Sequence, residues 1–555
     1  MKRISTLFAV LIAWAMTLAA ADVTITDAHM LAAGNEVRWT SDNVYILDGF
    51  VFVNDGQTLT IEAGTIIKGK PGQEELASAL VVARGGKIIA NGTSDNPIIF
   101  TAEADDLNGS VADAATGLWG GVIVLGKGAT NNSTAEKAIE GIPTSETRGL
   151  YGAATTVEDD NSGMMKYVSI RHGGTNIGEG NEINGLTLGA VGSASTFSYI
   201  EVVANADDGI EWFGGAPKCD HILVAWVGDD SFDFDEGFSG MNQFMAAIQS
   251  ADAGDRLGEH DGGPSSNELG EPFAEPFFSN VTYVGRGAAD GKRVITFRDN
   301  AGGHYVNSIF AEQAKGIDIE WRDNTGGATA GDPTGLCSYS QWADEEILKI
   351  ENSIFQNVSD GTGSGILKVV SEQDDDKNNL FIVDPAAVTA FASYFATAGN
   401  EVADAGVDAA NPTASGDVWG ADFTGMDVWF EAVPYKGAFE PKQNWASGWS
   451  LSLGDVQAKA NTTTGIRQQA SNDMKQVKIY PNPMMDVATI EFDNTDDMVH
   501  SFAIYDMTGK AVRVINNIYD SSFQFERSKL ESGMYIYRMT NEHGATVAGG
   551  KLLMQ

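Results

Sequence analysis

Along most of the chain, hydrophobic and polar positions alternate in short runs and do not recur at helical spacing. Thr58-Leu59-Thr60-Ile61, Val122-Ile123-Val124-Leu125 and Val294-Ile295-Thr296-Phe297 are typical: β-branched, aliphatic or aromatic residues over four positions, set off by Gly, Asn and Asp. Such runs predict strands from about residue 40 to 455. One segment departs from the pattern. Over 384–397, Val388, Phe391 and Phe395 recur at helical spacing behind Asp384 as a cap and Pro385 at the first helical position, which predicts a helix.

The pattern also repeats. Residues 198–215 superpose without gaps on 220–237, an offset of 22, so that Ile200 meets Ile222, Val202 meets Val224, Asp208 meets Asp230, Ile210 meets Phe232 and Trp212 meets Phe234. Each copy holds two short alternating strands separated by an Asp-Asp turn. A unit of this length with small or Asx corners makes one coil of a parallel β-helix, in which each strand pairs with its equivalent in the next coil. Degenerate copies include Lys166-Tyr-Val-Ser-Ile170 with Gly185-Leu-Thr-Leu188, then Asn280-Val-Thr-Tyr283, Asn307-Ser-Ile-Phe310 and Asn352-Ser-Ile-Phe355. The Asn opening the last three is read either as an amide stack inside a bend or as an ordinary turn residue. At ~4.8 Å per coil, roughly ten to fourteen coils give a rod on the order of 50 to 70 Å. Irregular spacing implies inserted loops at 105–116, 173–184, 251–273 and 323–344, where specificity would reside.

The ends read differently. Met1, Lys2 and Arg3, an apolar stretch over 7–18 and then Ala19-Ala20-Ala21 form a basic start, a hydrophobic run and a small-residue exit, the order of a signal peptide; the run is shorter than the roughly 20 residues a membrane span requires. Residues 456–475 are polar and rich in Thr, Gln and Asn, a linker. Beyond it, short strands with turn signals predict a small β-sandwich. The organisation is therefore a signal peptide (1–21), a β-helix domain (22–455), a linker (456–475) and a C-terminal module (476–555). The fold class is all-β, a right-handed parallel β-helix followed by a small β-sandwich.

Charge narrows the partners. With 35 basic and 76 acidic residues the formal charge is −41, so a nucleic-acid partner would be repelled over most of the surface. Only Cys219 and Cys337 are present, which leaves two states open in an oxidising compartment, one bridge or two buried thiols.

Candidate chemistry concentrates on acids. Asp207-Asp208 and Asp229-Asp230 lie one coil apart, with Glu211, Asp233 and Asp235 on neighbouring positions of the same strip. Carboxylates stacked at coil spacing repel unless protonated, spread apart or bound to a cation. Three readings follow: a solvated ladder of turns, a calcium site drawing on Asp207, Asp208, Asp229, Asp230, Asp233 and Asp235, or a catalytic pair at Asp208 and Asp230 for glycoside hydrolysis. Glu259-His260-Asp261, placed on a glycine-flanked loop, would suit metal binding or proton transfer. Arg171-His172 opens another glycine-rich loop. Trp119, Trp212, Trp226, Trp321, Trp445 and Trp449 would stack on sugars if exposed in a row, and otherwise pack in the core or bends.

Two resemblances add to this. Ile479-Tyr480-Pro481-Asn482-Pro483, the segment from Ile504 to Lys510 with Gly509, Leu530, Gly533-Met-Tyr535 and Lys551-Leu552 resemble the type A sorting domain that Bacteroidota attach to cargo of the type IX secretion system. That resemblance implies recognition by the outer-membrane translocon, with Tyr480, Pro481, Asn482, Pro483, Gly509, Gly533, Tyr535 and Lys551 as the sorting signal, and cargo released or fixed at the cell surface. Pro97-Ile-Ile-Phe-Thr-Ala102, Leu118-Trp-Gly-Gly-Val122, Ile139-Glu-Gly-Ile142, Asp208-Gly-Ile-Glu-Trp212 and Tyr435-Lys-Gly-Ala-Phe439 are similar to a family of exported β-helix proteins of Bacteroidota whose function is unsettled. Many of those members are lipoproteins, whereas in this chain Asp22 and no lipidation cysteine stands directly behind the leader. The expected role is a secreted or surface protein binding glycan or extracellular matrix. The alternatives are a carbohydrate-active enzyme, hydrolase or lyase, and a structural surface protein bridged by calcium.

Overall fold

The computed structural model describes residues 21–454 and 477–554, apart from 74–75, 179–180, 265–266, 268, 288–291, 322–335, 372–382, 493, 495–498, 506–510, 529, 531 and 542–545. The leader up to residue 20, the linker, Gly509 and most of the loop expected at 323–344 lie outside the described residues. Contact clustering gives two compact units, Met1–Thr463 and Thr464–Gln555.

The first unit is a parallel β-helix. A ten-stranded, all-parallel sheet runs from Phe50–Val53 through Ile210–Phe213, Phe232–Asp235 and Gly258–Asp261 to Leu367–Ser371. Most of the remaining strands form an 18-stranded sheet, also parallel, folded along a bend, and two antiparallel pairs lie in the inserted segments. In the middle coils one long strand, such as Thr196–Val203 or Lys218–Ala225, contributes to both sides of that bend, and in the others two shorter strands do. The 22-residue offset is the pairing register: Ile200 pairs with Ile222, Val202 with Val224 and Ile210 with Phe232. Inward positions fill the core, including Phe232, Phe234, Phe278 and the fully buried Trp119 and Trp212.

From the coil of Gly163–Arg171 onward the bend takes a left-handed residue. Tyr167, Tyr199, His221, Phe244, Asn280, Asn307 and Asn352 occupy it, with φ between 48° and 57°. For a residue with a Cβ this conformation costs about 1–2 kcal/mol, and two devices offset it. The aromatic members stack coil on coil, with ring centroids 4.4 Å apart for Tyr167–Tyr199, 4.2 Å for Tyr199–His221 and 4.7 Å for His221–Phe244; each such pair contributes about 0.5–1.5 kcal/mol. The asparagine members tolerate the left-handed region and bond through their amides, as in Asn352 Nδ2 donating to Asn307 Oδ1 at 2.8 Å.

Residues 403–454 contain no helix or extended strand and run back along this bend as a strap. Asn352 donates to Gly420 O, Asn307 pairs with both backbone groups of Asp422, Gln243 does the same for Glu431, and Asn280 donates to Tyr435 O. Trp445 then meets Tyr199 and His221 edge-on, and Trp449 meets Tyr167. The strap ends on Glu201, a fully buried carboxylate that accepts from Leu451 N, Ser452 N, Ser452 Oγ and Ser169 Oγ at 2.5–2.9 Å. Its charge also faces the buried Arg171 guanidinium.

The predicted helix is Pro385–Thr397, capped by Asp384 accepting from Ala386 N at 2.9 Å. Its buried stripe is Ala387, Phe391 and Phe395, whereas Val388 is exposed. Cys219 and Cys337 are both buried free thiols. No helix among the described residues is long and apolar enough to cross a membrane.

The second unit packs a three-stranded and a four-stranded antiparallel sheet around Ile490, Phe502, Ile504, Phe525, Met539 and Leu552. Asn482 ties its first strand region to its last, donating to Lys551 O and accepting from Leu553 N. Tyr480 is exposed and Tyr535 is buried.

Replacing Glu201 by Ala removes the acceptor of three strap donors and takes from the buried Arg171 the foremost of its counter-charges, leaving Asp105 and Asp113. The expected loss is about 3 kcal/mol, read as a lower Tm together with new protease cleavage within 440–454; an unchanged Tm and cleavage pattern would contradict the strap's role.

Candidate functional site

The outward face of the ten-stranded sheet changes character along the coils. Register places one outward column as Phe52, Val81, Ile123, Thr187, Glu211, Asp233, Glu259, Thr296, Asp318 and Lys368. The apolar start is roofed: Phe52, Val81 and Ile123 pack with Ile139, Ile142, Tyr151 and Ile183 from the inserted segments. Nearby, the fully buried Glu236 accepts from Tyr151 Oη at 2.6 Å and pairs with Lys137. The roof's apolar cluster does not extend to the acidic positions that begin with Glu211.

A second column, two residues ahead of each strand, is Asn184, Asp208, Asp230 and Arg256. Its carboxylates cap the turn of the following coil: Asp208 Oδ1 accepts from Asp230 N at 2.8 Å, and Asp230 Oδ1 accepts from Arg256 N. Gly209 follows Asp208 because a Cβ there would lie 2.3 Å from Val224 Cγ1 in the next coil. Asp208 and Asp230 are buried, so the ladder expected to be solvated is instead enclosed by the tight stacking of turns.

The acids fall into two groups. In the coils of Gly258–Asp261 and Arg293–Arg298, basic residues answer them. Arg298 holds Asp261 through Nε at 2.6 Å and Nη2 at 3.0 Å and reaches Glu259 at 2.9 Å; Arg256 meets Glu259 at 3.1 Å and Asp255 at 2.8 Å. One and two coils earlier, Asp208, Glu211 and Asp233 bring carboxylate oxygens within 4.8 Å of one another, and no ion pair from a basic residue reaches them among the described residues. Burial first, and then the neighbouring acids, push all three well above the usual carboxylate range. Asp230 and Asp235 move the same way for the same leading reason, and Asp207, beside Glu182 and Glu140, is pushed up to about 8. Asp207, Asp208 and Asp229 form a second close set, and Asp229, Asp230 and Asp255 a third.

Two buried acceptors at the first set are unpartnered, Asp233 Oδ1 and Asn184 Oδ1, while Asn184 Nδ2 donates to Glu211 Oε2. An all-oxygen donor set with orphan acceptors fits a hard divalent cation such as calcium.

Glu259, His260 and Asp261 are not on a loop. They form a rung of the sheet, because Gly258 pairs with both Phe232 and Ile295 and the period-2 alternation continues. Glu259 and Asp261 face outward, and His260 points into the core, stacked on Phe234 at 4.1 Å and bonded to Tyr305 Oη at 2.7 Å. Burial lowers its pKa to about 3, so it is neutral and takes no part in surface proton transfer. His172 is likewise buried, bonded to Ala115 O, and lowered by burial. Trp212 lies in the core and Trp449 under the strap, so these rings offer no exposed row. Asn184, Glu140, Glu182, Arg256, Arg293 and Asp318 join the site without having been singled out in the sequence; the offset between coils becomes 24 residues before Asp208 and 26 after Asp230, so a fixed 22-residue repeat passes over Asn184 and Arg256.

Two family profiles match the chain: the pectate-lyase-like β-helix domain over residues 31–402 and the secretion system C-terminal sorting domain over residues 478–554. Among solved structures, the endo-β-1,4-mannanase from Thermotoga petrophila is similar at 10% identity over 45% of this chain and 47% of that one, with a TM-score of 0.11. The chain thus spans about half the length of that structure, and nothing further rests on the likeness. No curated protein matches.

The raised carboxylates fix a pH dependence. Their protons leave the unfolded chain near pH 4 but the folded one only at higher pH, Asp207 at about 8, so the folded state binds more protons in between and its stability falls as pH rises. In chelator, Tm is expected to decline from pH 5 to pH 8, and Asp207→Asn with Asp233→Asn is expected to flatten the decline; a wild-type Tm constant across this window would contradict the assignment.

Proposed function

The chain belongs to the pectate-lyase-like β-helix family and carries a secretion system C-terminal sorting domain, and from that premise we propose that it serves at the cell surface or in the medium as a glycan-binding protein, its ligand lying along the outward acidic face. The sorting domain places the chain in the hands of the type IX secretion system and its product outside the cell. The observation that carries the binding reading is the set Asp208, Glu211 and Asp233, whose carboxylate oxygens lie within 4.8 Å of one another, the first two buried and Asp233 partly exposed.

A calcium ion held there by Asp208, Glu211 and Asp233, with Asn184 Oδ1 within the same surroundings, would neutralise the set and offer remaining coordination positions to sugar hydroxyls. The rest of the column supplies alternating donors and acceptors at coil spacing, matched to an extended chain of sugar units. A rigid stack presents these groups without ordering cost on binding. Matrix components bearing glycans fall within the same reading.

A second reading, a carbohydrate-active enzyme, is favoured by one observation: burial and the neighbouring acids raise the carboxyl groups of this set, the direction a general acid requires. Release of reducing ends or unsaturated products from a polysaccharide panel separates it from binding without turnover.

Calorimetric titration of the chelated full-length protein with calcium is expected to show saturable binding with proton release, reduced at least tenfold by Asp233→Asn, and Tm is expected to rise with calcium. Retention on at least one immobilised polysaccharide is expected to require calcium. Absence of calcium binding, or retention unaltered by chelator, would overturn the reading.

A further inference from the structure

Farther along the same outward face, a pocket is lined by Arg256, Arg293, Thr296, Arg298, Asp318 and Val370, among others. It lies three rungs beyond Asp233, about 14 Å at coil spacing. We propose that it is a subsite for one neutral sugar unit, bound through a vicinal diol by Asp318 and Arg298. The inference deepens the glycan-binding reading and rests on it.

Two observations point to a ligand of this kind. Asp318 is 3% exposed, its Oδ2 is held by Arg293 Nε at 2.5 Å, and its Oδ1 has no hydrogen-bond partner among the described residues. A buried carboxylate oxygen lining a pocket without a donor is a vacancy for a hydroxyl or amine proton, since leaving it unmet costs about 1–3 kcal/mol or more. Beside it, Arg298 donates two of its five N–H groups to Asp261 and sets Nη1 2.9 Å from Glu259 Oε1, so other hydrogens of the fork remain to meet an acceptor. A donor site next to an acceptor site is what adjacent hydroxyls match: one donates to Asp318 Oδ1 and its neighbour accepts from Arg298. Val370 supplies an apolar wall for the C–H face of the ring.

The charge balance selects neutral over anionic sugars. Arg256, Arg293 and Arg298 are each engaged by carboxylates, namely Asp230, Asp255, Glu259, Asp261 and Asp318, and Glu320 lines the same pocket. With Lys292 on Asp255 and Lys368 on the rung after Asp318, six acids face five bases around the opening, and the whole chain carries −41, so a uronate or sulfated unit would enter against the field.

The test uses full-length protein in calcium, with immobilised β-glucan, xylan and galactan as neutral probes and alginate and polygalacturonate as anionic ones. Wild type is expected to retain at least one neutral probe with affinity independent of salt. Asp318→Asn keeps an oxygen for Arg293 and turns an NH2 into the pocket, and is expected to weaken that retention at least tenfold while calcium binding stays unchanged. If that variant folds poorly, Arg298→Lys keeps the pairing charge but removes the fork, with the same loss expected. Salt-sensitive retention of anionic probes alone, indifferent to Asp318, would overturn the subsite and leave glycan binding standing. Failure of every probe to bind the wild type would overturn both.

Discussion

In-register parallel stacking governs this molecule. Each coil lays its residues on the equivalent residues of the coil before it, about 4.8 Å away, so whatever a position carries is repeated along a column. Where the column is aromatic or asparagine, repetition stabilises: the Tyr167–Tyr199–His221–Phe244 stack and the Asn307–Asn352 amide bond hold a bend whose left-handed backbone would otherwise be unfavourable. Where the column is acidic, repetition is costly. Two ionised carboxylates one coil apart oppose each other by about 3 kcal/mol at an effective dielectric of about 20, more than a single stacked ring pair contributes.

The outward face of the ten-stranded sheet meets that cost in three ways along its length. At the first coils it avoids charge, and Ile139, Ile142 and Tyr151 roof apolar positions. At later coils Arg256 and Arg298 pair with Glu259 and Asp261. Between them, Asp208, Glu211 and Asp233 are left to share protons or a cation. The transition from roof to acid cluster to paired acid gives the face a direction and sets the proposed cation site apart from the proposed sugar subsite. The strap on the opposite bend leaves this face alone; it pins the coils through Glu201, Gln243, Asn280, Asn307 and Asn352.

Much of this is legible in residues 198–237, because a period-2 pattern repeated at a fixed offset has few other solutions. The parallel stack and the pairing of Asp208 with Asp230 as neighbours follow from it, and the C-terminal sandwich is legible separately in the short strands beyond the linker. Burial does not. Asp208 and Asp230 look like turn residues in water, and only the closeness of Gly209 to Val224 in the next coil shows that the turns are packed shut. His260 looks like a loop residue between glycines, yet Gly258 is a rung position and the alternation places the imidazole inside. The strap was hidden for a different reason: its bonds to the coils reach across 115 positions from Asn307 to Asp422 and 251 from Glu201 to Ser452, and no local pattern marks them.

The central claim is that stacking forces Asp208, Glu211 and Asp233 to hold protons unless a divalent cation replaces them. Infrared difference spectroscopy on chelated protein at neutral pH tests it directly. The account predicts a carbonyl band of protonated carboxylic acid that disappears on adding calcium and is missing from the triple Asn/Gln variant. A chelated wild type with no such band would show that the acids are ionised side by side, and would contradict it.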